Sequence, residues 1–188
     1  MAKKRKRGKG PAKGAAFERA IAKRLSLWWT GWQRDDIFWR TASSGGRATR
    51  RQWEGQETRG QLGDLAATDP IGQPFIDLIH IELKRGYSRV GAESLLWPGK
   101  SPLLDWFSQA DREHRQAKAH GWWIIHRRDR QPTLLYMSVN AWRILFKSQL
   151  FPGIGMIYPV GWKEPVYCME FEEALRCISP KELMKPRR

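Results

Sequence analysis

At 188 residues the chain is long enough for one domain with a packed core and too short for two comfortable ones. Its 34 Lys and Arg against 19 Asp and Glu leave a net charge of +15, a field that gathers phosphate and points to nucleic acid as the partner. Two cysteines nine apart, Cys168 and Cys177, fit neither a zinc spacing nor a disulfide scaffold, no stretch reaches the length of a membrane span, and the basic opening lacks the apolar segment of a signal peptide, so a cytoplasmic protein with no membrane association is expected.

The first thirteen residues, MAKKRKRGKGPAK, carry seven Lys or Arg and no acid, and read as a disordered basic arm. About half of the excess charge remains on the body, residues 14–188, which reads as a single domain. From Gly14 the pattern turns helical: Phe17, Ile21, Leu25 and Trp28 form one apolar stripe, and Glu18 borders it. A short strand from Ile37 to Thr41 ends in a Ser-Gly-Gly turn, followed by an arginine-rich loop containing Arg47, Arg50, Arg51 and Arg59. Two apolar runs, around Leu65 and from Phe75 to Leu83, flank Asp-Pro-Ile-Gly, a pattern that suits an antiparallel hairpin. Ser101 and Pro102 make an N-cap and first helical position for a helix whose apolar face is Leu103, Phe107, Ala110, His114 and Ala117. GWWIIHRR and PTLLYMSV then read as strands, NAWRILFKSQL as a helix, Val166 to Met169 as a strand and FEEALRCIS as a short helix. The order predicts one layer of sheet with helices able to cover it, an α/β or α+β fold. Most of the eleven tryptophans belong in apolar patterns and read as core.

The chemistry concentrates at IHIELKRG, residues 79–86. Side chains alternate across a strand, so Ile79, Ile81 and Leu83 build one face while His80, Glu82 and Lys84 share the other. A second carboxylate is available in Asp64, which follows Gly63 at a bend; Asp69 and Asp77 are the alternatives, Asp64 then being only a turn residue. Two carboxylates holding Mg2+ would stabilise charge on a phosphodiester and activate water, and a lysine beside them neutralises developing charge. Leu83 would offer such an ion only its backbone carbonyl. Each residue also has a plain reading: Glu-X-Lys as a solvated pair, Glu18 as a helix-face acid paired with a nearby base, and the arginines as a solvated loop. A loop of arginines placed just before Asp64 nevertheless suits contact with DNA phosphates. Gln109 is placed to support the lysine or phosphate, although an exposed helix face accounts for it equally. The four histidines show no metal-ligand spacing, and the glycines of GIGMIYPVG, residues 153–161, match no phosphate loop.

Phe17-Glu18-Arg19, Ser44-Gly45-Gly46, Gly63-Asp64 and Ile81-Glu82-Leu83-Lys84, in this order, resemble the PD-(D/E)XK nuclease superfamily and its archaeal-type and phage Holliday junction resolvases. The resemblance covers about residues 14–130, leaving 131–188 as a C-terminal extension, and Gly63 stands where the name motif has proline. It implies a restriction-endonuclease-like fold, a central mixed β-sheet flanked by α-helices, with Mg2+-dependent cleavage of DNA, Mn2+ able to substitute, and a homodimer acting on branched DNA. By the same resemblance Glu18, Asp64 and Glu82, with the Leu83 carbonyl, form the metal site. Lys84 is the catalytic lysine, and Ser44 lies near the scissile phosphate, with Arg85 leading from the strand toward DNA. The competing expectations are a noncatalytic basic nucleic-acid-binding protein, and a nuclease of the same fold acting on single strands, flaps or RNA.

Overall fold

The computed structural model describes residues 10–41, 63–147, 149 and 151–184. Its first helix, α1 (Gly10–Trp29), buries the expected stripe of Phe17, Ile21, Leu25 and Trp28, together with Ala22 and Trp29. It starts four residues earlier than the pattern suggested and so takes in the end of the expected basic arm, with Lys13 3.6 Å from Asp129. Ser26, buried inside α1, donates to the Ala22 carbonyl and accepts from the Phe38 N–H at 2.9 Å. That contact ties the helix to strand β1 (Phe38–Arg40).

The hairpin expected between Leu65 and Leu83 does not form. Strand β2 (Leu65–Ala67) pairs antiparallel with β1, Trp39 facing Ala66, and the apolar run after it divides into helix α2 (Gln73–Leu78) and strand β3 (Ile79–Arg85). Local chemistry explains the division. Asp69 accepts from the Ile71 N–H and caps a 3-10 turn over Pro70–Gly72, and Pro74 occupies the first turn of α2, where a missing N–H is harmless. Phe75 and Leu78, three apart, then bury as a helical pair.

Strand β3 is the edge of a five-stranded mixed sheet ordered β3-β4-β5-β7-β6, where β4 is Gly121–Arg127, β5 Thr133–Met137, β6 Gly155–Ile157 and β7 Val166–Glu170. Among the described residues only the β3–β4 pair is parallel, with Glu82 beside Ile124, and its crossover carries α3 (Pro102–Gln116), capped by Ser101 as expected. Helices α4 (Val139–Phe146), α5 (Phe171–Cys177) and α6 (Pro180–Leu183) complete the described chain. Two apolar layers result. One joins α1, α2, α4 and α5 to Ile79, Ile81, Leu83, Trp123 and Ile125; the other joins Leu103, Phe107 and Ala110 of α3 to Trp122, Ile124 and Tyr136. This is the helix-flanked mixed sheet that the resemblance implied. Cys168 and Cys177 are free thiols, and among the described residues no helix is long and apolar enough to cross a membrane.

Candidate active site

The parity expected of β3 holds, but both of its faces are covered. Ile79, Ile81 and Leu83 pack toward α1, while His80 and Glu82 lie buried on the α3 side, each only 3% exposed. An acid so deeply buried needs partners. Lys84 Nζ donates to Glu82 Oε2 at 2.8 Å and to Gln109 Oε1 at 3.3 Å, and Gln109 Nε2 donates to Glu82 Oε2 at 3.4 Å. Burial alone would raise the Glu82 carboxyl, but His80 and Lys84 overcome it and hold the group ionised well below the usual range. Burial likewise opposes the Lys84 charge, and Glu82 outweighs it, so Lys84 stays a cation.

Asp64 reaches the same place from the other side. Its N–H donates to the Ile81 carbonyl at 2.9 Å and its Oδ2 accepts from the Leu83 N–H at 2.7 Å, which seats it against the free edge of β3. Gly63 makes this approach feasible. Its φ is +91°, and a Cβ there would lie 2.9 Å from the Ile81 oxygen. Proline cannot adopt that φ, which accounts for glycine at the position where the resembled motif has proline. Burial beside the charged Glu82 pushes Asp64 up to about 7, only partly offset by the Leu83 N–H and Lys84. Two crowded carboxylates, one of them held protonated toward neutral pH by burial and then by its neighbour, are a donor set that a hard divalent cation fits.

Glu18, Asp64, Glu82, Lys84 and Gln109 all line one cleft of about 250 Å³, together with Leu83, Arg85 and Tyr87. Glu18, besides lining the cleft, pairs with Arg40, whose Nε lies 2.7 Å from its Oε2. Arg85 is turned back onto Asp129 at 2.5 Å and the Arg127 carbonyl at 3.0 Å. The alternative acids fall elsewhere: Asp69 accepts from Arg34 at 2.7 Å and caps its turn, and Asp77 is exposed on α2, accepting from Gln73. Ser44, Arg47, Arg50, Arg51 and Arg59 lie outside the described residues.

Sequence reasoning placed His80 on the Glu82 face without a role and passed over Glu113 and Tyr87. Glu113 follows Gln109 by one helical turn and accepts from it at 3.1 Å, a spacing visible in the chain but meaningless until α3 is laid across β3. His80 Nε2 stands 3.4 Å from Glu82 Oε1 and 3.5 Å from Glu113 Oε2. Burial works against its charge, and these two carboxylates reverse the effect.

A family model described as "Phage putative PDDEXK endonuclease" matches residues 9–160, which takes in every residue of the cleft. No curated protein and no solved structure matches the chain.

Proposed function

Because the chain belongs to this phage PDDEXK endonuclease family, we propose that it hydrolyses DNA phosphodiesters at the cleft between α1, β3 and α3, using Mg2+ or Mn2+ and selecting branched substrates such as four-way junctions. The observation that carries the reading is the convergence of buried Asp64 and Glu82, with Lys84 bonded to Glu82, on one cleft. Asp64, Glu82 and the Leu83 carbonyl would hold the cation, with Glu18 on the facing side. When bound there, such a cation would supply positive charge against a nonbridging phosphate oxygen and lower the pKa of a water so that hydroxide is available as nucleophile. Lys84, kept cationic by Glu82, adds charge where it develops on the phosphorane oxygens, and Gln109 fixes the ammonium by accepting from it. The basic body, with Ser44 and the arginines at 47, 50, 51 and 59, would carry the backbone of the DNA. Selectivity for branched DNA is supported by the resolvase-like order of motifs, and a homodimer would place two such clefts on opposing strands of a junction.

The test is cleavage of plasmid, hairpin, duplex and four-way-junction DNA with and without Mg2+, together with the mass of the particle in solution. Junction cleavage that needs the metal and is lost in Lys84→Ala and Glu82→Ala, with junction binding retained, is the expected result. Binding without cleavage under any divalent ion would establish a noncatalytic binding protein instead, and equal affinity for junction and duplex at one salt concentration would leave only generic electrostatics.

A further inference from the structure

Three donor atoms beneath the cleft are left over when every other contact has been made. Glu82 Oε2 is taken by Lys84 and Gln109, and Glu113 Oε1 by Gln109, which leaves Glu82 Oε1 and Glu113 Oε2 turned toward His80. His80 is buried with both ring nitrogens lacking any hydrogen-bond partner, although its Nε2 stands only 3.4 and 3.5 Å from those two oxygens. All three atoms lie within 4.8 Å of one another. Facing two carboxylate oxygens at that range in a dry interior, Nε2 must carry either a proton or a metal cation between them. The spacing suits a metal: donors bound tetrahedrally at about 2.0–2.1 Å stand about 3.4 Å apart.

We infer that His80, Glu82 and Glu113 form a second cation site, distinct from the Asp64–Glu82 pair, that takes a transition ion of the zinc class. The imidazole decides the ion. Magnesium favours an all-oxygen octahedron, whereas a nitrogen and two carboxylate oxygens with one position left open are a zinc ligand set, which manganese can also use. Three protein ligands from β3 and α3 would fasten the helix that carries Gln109 to the strand that carries Lys84. Glu82 would bridge the two sites through its separate oxygens. The inference relies on the proposed nuclease site only in sharing Glu82.

The test is equilibrium dialysis of the full chain against Zn2+ in excess Mg2+, with X-ray absorption at the zinc edge. One Zn2+ per chain, showing the scattering signature of imidazole, is expected. Glu113→Gln and His80→Asn should each weaken retention roughly tenfold or more, while Asp64→Asn should keep the ion. Failure of the wild-type chain to hold zinc against magnesium would mean that a proton alone occupies the position and would overturn the site. So would zinc lost in Asp64→Asn, or zinc retained unchanged in both Glu113→Gln and His80→Asn. None of these outcomes depends on whether the protein cuts DNA, so a failed cleavage assay and a failed zinc site remain separate results.

Discussion

Asp64 and Glu82 are neighbours in one cleft with opposite titration behaviour. Glu82 has Lys84 and His80 against it and ionises readily; Asp64 has only one backbone N–H and a share of the Lys84 field, and stays protonated up to about 7. A carboxyl raised in the folded state favours folding below its unfolded value near 3.9, and that contribution is lost as pH rises toward the folded value. Without divalent metal, stability should therefore fall between about pH 4 and 7. Asp64→Asn should remove that slope and raise stability at pH 8 on the order of 2–4 kcal/mol, since the amide oxygen still accepts from Leu83. Thermal melts of both proteins in chelator across this range measure it, and a destabilised Asp64→Asn at pH 8 would contradict the crowding of the two acids. The cation competes with the Asp64 proton, so half-saturating Mg2+ should drop as pH is raised from 6 to 8.

Elements act here mainly by bringing backbone close to backbone. Gly63 lets the chain before β2 lie on the edge of β3, and Gly63→Ala meets both an unfavourable φ and the Ile81 oxygen. The change should destabilise by about 1–3 kcal/mol and weaken metal binding through displacement of Asp64, readable by denaturant titration and calorimetry. Ser26→Ala tests a different joint. It leaves the Phe38 N–H buried and unpaired between α1 and β1, with an expected loss of about 1–3 kcal/mol and no change in the affinity for metal. The helices were legible because their apolar periodicity and caps are local; Ser101 before Pro102 fixed the start of α3. The segment from Phe75 to Leu83 was misread because a continuous apolar run fits a buried strand and a short helix equally well. What settles it is the Asp69 cap and the two prolines, together with the pairing of β2 to β1.

For the molecule as a whole, the charge of +15 is spread between an arm and a body, and both should meet phosphate. DNA affinity should fall steeply with salt. Removing residues 1–9, which carry six Lys or Arg, should flatten the log–log salt dependence by at most about 5 while leaving the pattern of cleavage products intact. A slope unchanged by the truncation would place binding entirely on the body. The cleft itself is lined from α1 by Glu18, from α3 by Gln109 and from edge strand β3 by Glu82 and Lys84.

The sequence by itself determined the fold class, the caps and stripes of the long helices, and the shared face of Glu82 and Lys84, because each follows from spacing along a single element. It also supplied Glu18 and Asp64 as candidates through the order of motifs, and Gln109 through its place on a helix. Only the tertiary structure decided that Asp64 and neither Asp69 nor Asp77 shares the cleft with Glu82, that Glu18 is paired with Arg40, and that His80 and Glu113 meet Glu82 at its unused oxygen. The physical reason is distance along the chain. Parity and periodicity report a residue's neighbours within a few positions, whereas burial beside another charge, which sets how a carboxylate titrates and what it binds, depends on elements dozens of residues apart packing against the same strand.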